Sequence, residues 1–457
     1  MRFDALEQVL AGELYRPGDD RWEEGRTLFN SMVERRPGAI ARVAGDEDVA
    51  ACIEWARRTG TELSVRAGGH SVAGVSLNDG GLVIDTRGLD TIEVDPVART
   101  ARVGAGLTWA QFDAATQEHG LATTGGRVST TGVAGLTLGG GSGWLERSFG
   151  LACDNLIGAR LVTASGAVVR AGEHEHAELL WALRGGGGNF GVVTELEFRL
   201  HPVGPVVFGG IALYDPADAV TVLRAFRDFY DGGAADEAGL AVIYLTAPPE
   251  EFIPAEWHGR RMVALAGCWS GSIDAGERAV RPLLECAGAV VDLFGGMPYA
   301  ELQSFIDDPP GYRNWWTAEY LDELTDDAVD AFVHYSNEMP VSFTQSLLVP
   351  WGGEVARRLD SPLAKRDAAY VLHPFCVWEG ADRDAEHMAW GRACRTVFAR
   401  WTSGGVYLNF VGDEGEERVR AAYGDAYERL AALKAELDPE NLFRGNQNSR
   451  PRPQLVS

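Results

Sequence analysis

The stretch that most limits how this chain can fold runs from Gly125 to Asn155, GGRVSTTGVAGLTLGGGSGWLERSFGLACDN. Small residues dominate it, so no helix or strand inside it could bury much side-chain area of its own. Glycine-rich backbone permits unusually close approach by other groups. We therefore expect this stretch to lie against something large and flat.

A second glycine block, RAGGHS, occupies residues 66–71. Residues 62–67 alternate well enough to form a strand, and Gly68 and Gly69 end that strand where positive φ or a close backbone approach is needed. The loop should therefore hold His70 firmly against whatever lies over it.

Length and charge limit the class of protein. The chain has 457 residues, 46% of them hydrophobic, which is enough for two or three globular domains. Its formal net charge is -25, from 66 acidic and 41 basic residues. Such an excess of acid disfavours nucleic acids and anionic membranes as partners, because binding them needs surplus cations.

Cysteine and histidine spacing gives no sign of a metal site. The six cysteines show no CxxC pair and no zinc-ligand spacing, so we expect free thiols in a reducing compartment. His174 and His176 stand in a polar turn without further ligands, and we assign no metal. The first 20 residues carry acids inside their apolar stretch, unlike a signal peptide or membrane span, which favours a cytoplasmic location.

The hydrophobic pattern predicts an α+β fold. A helix is expected at 49–58 among short strands in the first 200 residues, and ARLVTASGAVVRA is expected to form a hairpin. Beyond Pro205, helical patterns at 218–230 and 272–286 alternate with apolar strands, which predicts a sheet with helices on one face. A last helix is expected over 416–437.

Residues 186–191, GGGNFG, match the dinucleotide-binding pattern GxGxxG, but in the wrong context. That pattern must follow a strand and open a helix, whereas here a helical stretch precedes it and the strand VVTELEFRL follows. A Walker A lysine is absent as well. A nicotinamide or P-loop site is therefore not predicted.

Taken together, the glycine blocks define a more specific pattern. RAGGHS, VGAGLTW, GLATTGG, TGVAGLTLGGGSGWLERSFGLACDN and WALRGGGGNFGVVTELEF resemble, in order and spacing, the family of berberine bridge enzyme and 6-hydroxy-D-nicotine oxidase. The later stretches YLNFVGDE and YERLAALKAELDPENLFRGNQN look like the terminal segment of the berberine-bridge branch. The resemblance runs from about residue 37 to the end.

The resemblance implies an architecture of the vanillyl-alcohol-oxidase type. Residues 1–202 should form a PCMH-type FAD-binding domain with its core at about 37–202, and residues 203–411 an inserted substrate domain of antiparallel sheet and helices. Residues 412–457 should return to the FAD domain as the berberine-bridge segment. The flavin ring is then expected at the junction.

FAD needs backbone amides around its pyrophosphate and flat surfaces around its ring, and small residues supply both. The resemblance implies these cofactor-binding residues: Arg66, Ala67, Gly68, Gly69, His70, Ser71, Thr131, Gly132, Gly135, Leu138, Gly139, Gly140, Gly141, Gly143, Asn155, Gly191, Val192, Val193, Asn446 and Asn448.

The resemblance also implies that His70 is bonded through its ring to the methyl group at flavin position 8. The alternative is a histidine that only forms hydrogen bonds within its turn. Many family members add a second bond from a cysteine, at the position that Val128 occupies here. Because valine cannot form a thioether, we predict attachment through His70 alone.

Flavin accepts hydride from a C–H bond, so the protein usually needs a base for the accompanying proton. Two-residue alternation in GGVYLNFVGDE predicts a strand with Tyr407 and Asn409 on one face. Tyr407 also matches the tyrosine of the family's YxN motif, which the resemblance implies to be a base. A packing tyrosine is the alternative.

Other aromatic residues are candidates for the substrate cavity. The resemblance places Tyr335 as a catalytic candidate that could supply a second phenol. His373 shares a strand face with Val371 and Phe375, which favours a buried, hydrogen-bonded histidine over a catalytic one. Both an aromatic wall and core packing remain open for a further cluster, Tyr312, Trp315 and Trp316.

These features predict an FAD-dependent oxidase that takes hydride from a small organic substrate, an alcohol or secondary metabolite, with molecular oxygen as acceptor. By resemblance, Thr131 stands beside the ring, where related proteins admit or block oxygen with a small or a larger aliphatic residue, and threonine matches neither. A dehydrogenase with another acceptor, or a flavin-carrying protein without turnover, are the alternatives.

Overall fold

A computed structural model of the protein describes residues 3–307, 310–358, 360–402, 404–412, 414–445 and 447–451. Its strands are β1 (Glu13–Tyr15), β2 (Ala39–Arg42), β3 (Leu63–Arg66), β4 (Leu82–Asp85), β5 (Ile92–Asp95), β6 (Thr100–Gly104), β7 (Leu121–Ala122), β8 (Leu156–Val162), β9 (Val168–Gly172), β10 (Val192–Arg199), β11 (His201–Pro202), β12 (Val206–Tyr214), β13 (Ala238–Thr246), β14 (Arg261–Trp269), β15 (Ala289–Asp292), β16 (Gly295–Pro298), β17 (Arg313–Trp316), β18 (Glu319–Leu321), β19 (Gln345–Pro350) and β20 (Tyr370–Trp378).

The α-helices are α1 (Asp4–Glu7), α2 (Asp20–Arg26), α3 (Asp46–Thr59), α4 (Trp109–Gln117), α5 (Val133–Leu138), α6 (Glu146–Phe149), α7 (Ala177–Leu183), α8 (Ala219–Asp231), α9 (Ile273–Leu284), α10 (Tyr299–Ser304), α11 (Asp326–Asn337), α12 (Glu354–Arg357), α13 (Asp384–Phe398), α14 (Glu416–Tyr423) and α15 (Ala426–Leu437). Among the described residues, no helix is long and apolar enough to cross a membrane.

Two sheets occupy the first 200 residues. One has the order β1-β2-β4-β3, with β4 parallel to β2 and β3, and the other is an antiparallel sheet of order β5-β6-β10-β8-β9. The predicted helix at 49–58, the strand before RAGGHS and the β8–β9 hairpin are all present. Helix α3 buries Val49, Ile53 and Ala56, which are spaced to share one face, against the first sheet.

A nine-stranded antiparallel sheet spans residues 206–378. Its main order is β15-β12-β14-β13-β19-β20-β17, while β16 pairs with β12 and β18 with β20. Leu348 pairs with Leu372 on the face covered by helices α8, α9, α11 and α13, and Leu347 pairs with His373 on the opposite face. The predicted sheet with helices on one face is confirmed, because successive residues of each strand point to opposite sides.

Two predicted elements are wrong. The helix expected over 416–437 is two helices, since Gly424 takes the left-handed φ of 51° and ends α14. The stretch around Tyr407 is not a strand: residues 408–410 form a 3-10 turn that follows two positive-φ glycines, Gly404 and Gly405. The domain limits at 202 and 411 remain a prediction.

Candidate functional site

A cavity of about 310 Å³ lies between the glycine-rich loops and the uncovered face of the nine-stranded sheet, within the range of small-molecule sites. Thirteen of the residues predicted to bind a cofactor line it: Ala67, Gly68, Gly69, His70, Ser71, Thr131, Gly132, Gly135, Leu138, Gly139, Gly191, Val192 and Val193. We call this side of the cavity the glycine wall.

Two glycines bring the RAGGHS loop against the start of α5. A Cβ atom added at Gly68 would lie 2.3 Å from the backbone nitrogen of Gly132, and one added at Gly132 would lie 2.4 Å from the nitrogen of Gly68. This contact excludes any side chain. At Gly135, by contrast, a Cβ atom would enter open space, so the missing side chain widens the cavity.

His70 lies in the cavity wall. Its Nε2 is 3.0 Å from Oγ1 of Thr130, its Nδ1 is 3.4 Å from Oγ1 of Thr131, and its ring stacks on Phe29 at 4.2 Å between centroids. Burial lowers the pKa of His70 to about 4, so the ring is neutral at neutral pH and keeps a lone pair on one nitrogen. Val128 also lines the cavity.

Arg66 and Asn155, two residues predicted to bind the cofactor, do not line the cavity. The guanidinium of Arg66 is buried and donates to the carbonyl oxygen of Thr27, at 2.9 Å, just after α2. The amide of Asn155 donates to the carbonyl oxygen of Phe149 at 3.0 Å. Both side chains support neighbouring loops, and their assignment to the cofactor stays a prediction.

Gly140, Gly141 and Gly143 are not among the residues that line the cavity, and their assignment to the cofactor stays a prediction. Their small size serves other contacts. A Cβ atom at Gly143 would lie 1.8 Å from the carbonyl oxygen of Gly125, and Gly140 and Gly141 have φ values of 122° and 95°. These glycines shape the loop and do not themselves border the cavity.

The terminal segment reaches the cavity through different residues from those predicted. Phe443, Gly445 and Gln447 line it, whereas Asn448 does not. The assignment of Asn448 to the cofactor therefore stays a prediction, and Asn446 lies outside the described residues. Local sequence did not reveal which side of this segment faces inward.

The candidate base Tyr407 does not face the cavity. Its side chain is 0% exposed, and its hydroxyl oxygen accepts hydrogen bonds from the backbone N–H groups of Gly141 (2.6 Å) and Ser142 (2.9 Å) and from Nδ2 of Asn409 (3.2 Å). The 3-10 turn rotates successive residues by about 120°, so all of 408–410 contact the cavity while Tyr407 lies beneath them. Burial raises the pKa of the Tyr407 hydroxyl, which does not favour its predicted role as a base.

Tyr335 is on the wrong side of the sheet for its predicted role. It lies on α11, stacks on Trp390 at 4.5 Å and donates its hydroxyl hydrogen to the carbonyl oxygen of Trp390 at 3.1 Å. This buried cluster belongs to the helix-covered face. The prediction of a second phenol in the cavity is therefore corrected.

The wall opposite the glycines was missed by the sequence argument. It is formed by β17, β19, β20 and the turn after Tyr407, and we call it the sheet wall; its residues are Trp316, Gln345, Leu347, His373, Phe375, Leu408, Asn409, Phe410 and Val411. Residues two apart on β19 and β20 share this face, and this two-residue spacing is the sequence feature that could have identified the wall. Of the aromatic cluster Tyr312, Trp315 and Trp316, the tryptophan at 316 lines the cavity.

Ionisable groups are rare in the cavity wall. Among the described lining residues, the ionisable side chains are those of His70, Arg127 and His373, and none is a carboxylate, although the chain carries a net charge of -25. Arg127 donates to Oγ of Ser142 at 2.9 Å and pairs with Glu146 behind the wall at 3.1 Å. Such a cavity favours anionic or neutral ligands.

His373 is buried, as predicted, but it also lines the cavity. Its Nδ1 donates to the carbonyl oxygen of Thr317 at 2.8 Å, and its ring stacks on Phe410 at 4.0 Å between centroids. Burial lowers the pKa of His373 to about 3, so the ring is neutral.

The lining fits FAD. Backbone without side chains at Gly68 and Gly135 leaves room for a large flat group, the absence of lining carboxylates among the described residues suits a pyrophosphate, and His70 offers a neutral ring nitrogen. The described residues contain no group of three or more His, Cys, Asp or Glu side chains that could hold a metal ion.

Two family models match the chain. The one described as FAD binding domain matches residues 37–172, and the one described as berberine and berberine like matches residues 406–449. The chain is 32% identical over 464 residues to (R)-6-hydroxynicotine oxidase of Paenarthrobacter nicotinovorans, and the match covers 97% of each protein.

Solved structures share the fold. The 6-hydroxy-D-nicotine oxidase of Arthrobacter nicotinovorans has a TM-score of 0.87 at 29% identity, covering 97% of this chain and 98% of that one. The BBE-like 1 protein of Physcomitrella patens has a TM-score of 0.87 at 21% identity, covering 100% of both chains. Fold and cavity thus define an FAD-dependent oxidoreductase with a PCMH-type FAD-binding domain. The chain belongs to the berberine bridge enzyme-like family of FAD-linked oxidoreductases.

Proposed function

We propose that the protein is an oxidase that takes hydride from a C–H bond of a small organic substrate, an alcohol or secondary metabolite, and uses molecular oxygen as acceptor. The observation that carries the proposal is the cavity that the glycine wall and the sheet wall both border, with side-chain-poor backbone on one side and aromatic side chains on the other. Bound flavin supplies a two-electron acceptor. The glycine wall holds the cofactor, and the sheet wall positions the substrate and excludes water.

The cofactor in this proposal is FAD, attached through His70 alone. The neutral ring of His70, stacked on Phe29, and the aliphatic Val128 support a single attachment. The remaining lining residues of the glycine wall then contact the cofactor without bonding to it. Acid precipitation of the loaded protein should leave a yellow pellet, and peptide mapping should find flavin on His70; a white pellet or a cysteinyl flavin would contradict this attachment.

The acceptor is tested by anaerobic reduction followed by air. A panel of alcohols, sugars, amines and phenolic polyketides should include a compound that bleaches the flavin, and the colour should return promptly in air. A flavin that stays reduced for minutes would identify a dehydrogenase, and Thr131, which lines the cavity beside His70, would be the residue to vary next. A flavin that no compound bleaches would favour a protein without turnover.

The domain division and location are part of the proposal. The change from the two smaller sheets to the nine-stranded sheet falls between Pro202 and Val206, which supports an FAD domain of residues 1–202 and 412–457 around a substrate domain of 203–411. All six cysteines are free thiols, which supports a reducing compartment such as the cytoplasm. Limited proteolysis and cell fractionation test these two points.

A further inference from the structure

Residues 28–32, which we call the bridging segment, contact both sides of the cavity. The backbone N–H of Phe29 donates to the carbonyl oxygen of Gly69, in the RAGGHS loop, at 3.2 Å. The backbone N–H of Ser31 donates to the carbonyl oxygen of Tyr312, directly before β17, at 2.9 Å. Residues that are close neighbours in one short segment are therefore bonded to opposite sides, so the segment limits how far the two walls can separate.

Asn30 lies at the centre of the bridging segment and is 3% exposed. Its Nδ2 donates to the carbonyl oxygens of Val72 (3.0 Å) and Asn314 (2.9 Å), and its Oδ1 accepts from the backbone N–H groups of Met32 and Asn314, both at 3.0 Å. The side-chain amide thus uses both of its donor hydrogens and both of its acceptor positions. Because carbonyl groups only accept and N–H groups only donate, these four partners allow the amide one orientation.

Three of these four hydrogen bonds reach distant parts of the chain. The bond from Met32 is a local turn contact, of the kind that asparagine commonly makes with the residue two positions along the chain. Val72, by contrast, directly follows RAGGHS and lines the cavity, and Asn314 belongs to β17. A residue that only forms a turn would need none of the three distant bonds, so they indicate a role in joining the walls.

Asn314 continues the connection to the sheet wall. Its Nδ2 donates to the carbonyl oxygen of Tyr312 at 2.9 Å, and its Oδ1 accepts from Nε1 of Trp316 at 3.2 Å. Trp316 lines the cavity, and its ring lies 4.5 Å from that of Phe375 between centroids. A displacement of Asn314 would therefore release the indole of Trp316 from its position in the sheet wall.

We propose that Asn30 is a positioning residue that fixes the loop of His70 and the indole of Trp316 relative to each other, and so sets the gap in which flavin and substrate meet; this rests on the proposed function. Asn30 is not among the described residues that line the cavity, so it acts through Val72 and Asn314. Small displacements matter in such a gap, because a misplacement of about 1 Å can slow a reaction about 10²-fold.

The first test is Asn30→Asp in the FAD-loaded protein. Aspartate has nearly the same shape and keeps both acceptor positions, but its carboxylate has no hydrogen to donate to the carbonyl oxygens of Val72 and Asn314. The fraction of flavin that stays with the acid-precipitated protein should fall about tenfold when loading is done at pH 8. Loading at pH 5 should raise this fraction again about threefold or more relative to the parent, because a protonated carboxyl regains one donor.

The matched control is Asn78→Asp. Asn78 is 2% exposed and donates to Oγ of Ser64 on β3 at 3.1 Å and to the carbonyl oxygen of Leu82 on β4 at 3.0 Å. Both acceptors lie in the first sheet, so the same change spares the connection to β17. It should lower Tm as Asn30→Asp does and leave the acid-stable fraction within about twofold of the parent. An equal loss of acid-stable flavin in both variants, or no loss in Asn30→Asp, would overturn the proposal.

A second test needs neither attached flavin nor turnover. In protein with ¹⁵N-labelled tryptophan, the indole resonance that disappears in Trp316→Phe reports Nε1–H, which should exchange in deuterated water at least about 10²-fold more slowly than in free tryptophan. Exchange should accelerate about tenfold in Asn30→Asp but not in Asn78→Asp. Rapid exchange in the parent, or unchanged exchange in Asn30→Asp, would overturn the proposal. If the parent loses all of its flavin in acid, attachment through His70 fails, and this measurement still decides the role of Asn30.

Discussion

The glycine wall and the sheet wall enclose the same cavity but are assembled in different ways. The glycine wall is built mainly from a few contiguous blocks, such as 67–72 and 131–139, in which neighbours in sequence are neighbours in space. The sheet wall takes alternate residues from β17, β19 and β20, which only the strand register brings together. The residues proposed to bind the cofactor can therefore be recognised from local sequence motifs. Those proposed to contact the substrate are brought together only by the fold.

The largest expected effect on cofactor content comes from Gly68→Ala, which tests whether the glycine wall tolerates any side chain. The new methyl group would lie 2.3 Å from the nitrogen of Gly132, so two backbones would have to separate. We expect the free energy of unfolding to fall by about 3 kcal/mol and the purified protein to carry little FAD. Urea denaturation and the ratio of flavin to protein absorbance measure both effects.

Gly135→Ala is the control, because the same methyl group enters open space inside α5. Alanine favours the helix by about 1 kcal/mol over glycine, so stability should hold or rise while FAD content falls. Equal destabilisation in both variants would contradict the distinction between Gly68, where a backbone contact excludes a side chain, and Gly135, where a methyl group has space.

Lys434→Met tests how the terminal segment completes the glycine wall. Nζ of Lys434 donates to the carbonyl oxygens of Asn189 (2.7 Å) and Phe443 (2.8 Å) and pairs with Asp438 at 2.8 Å, with both charged side chains 0% exposed. Removing the cation leaves a buried carboxylate, so we expect a loss of about 3–5 kcal/mol. Urea denaturation checks the value, with Arg57→Met, in an exposed pair, expected to cost less than about 1 kcal/mol.

Sequence predicted the glycine wall better than the sheet wall for a physical reason. The loop around His70 is formed by residues that adjoin in the chain, and one contact, Gly68 against Gly132, joins this block to the next. His373 and Phe375 were correctly placed on one strand face, but the face that meets the cavity depends on pairing with β19. Tyr407 was misplaced because the apolar alternation in the sequence did not reveal that residues 408–410 form a 3-10 turn and not a strand.

Even inside the motifs, sequence did not give side-chain direction. Arg66 and Asn155 belong to recognisable blocks, yet each side chain bonds to backbone carbonyls of adjacent loops. A motif determines the path of the backbone. The direction of a long side chain depends instead on which hydrogen-bond acceptors the rest of the fold places near it.

Asp113→Asn tests the contact between α4, near the glycine wall, and α10, which packs on the large sheet. Gln303 donates Nε2 to Oδ2 of Asp113 at 3.1 Å, while Oδ1 of Asp113 and Oε1 of Gln303 have no hydrogen-bond partner among the described residues. Burial raises the pKa of Asp113 to about 7. The folded carboxyl thus keeps a proton that the unfolded chain releases, and stability falls as pH rises from about 4 to 7.

Asparagine has no ionisable group, so it removes the cost of keeping the carboxyl protonated at high pH. Its amide can also both donate to and accept from the amide of Gln303. We expect Asp113→Asn to be more stable than the parent by about 2–4 kcal/mol at pH 8, with the difference shrinking toward pH 4. Urea denaturation of both proteins at pH 5 and pH 8 measures it. A difference independent of pH would mean that the carboxyl is ionised in the folded protein throughout this range.

Phe29→Leu gives the smallest expected effect and examines an aromatic ring that contacts residues of both walls. Phe29 stacks on His70 at 4.2 Å and meets Trp316 edge-on at 6.2 Å. Leucine keeps an apolar side chain but removes the stacking, which should cost about 1 kcal/mol of stability. Because the ring of His70 is then less firmly oriented, the fraction of flavin that stays with the acid-precipitated protein should also fall.

Phe149→Leu provides the matched comparison, since Phe149 stacks on His201 at 4.0 Å away from the cavity. Its replacement should cost a similar amount of stability and leave the acid-stable flavin unchanged. If both variants lose acid-stable flavin equally, the effect comes from general loosening of the fold, and Phe29 has no particular role in orienting His70. A loss confined to Phe29→Leu would show that the two walls cooperate through this ring, because His70 belongs to one wall and Trp316 to the other.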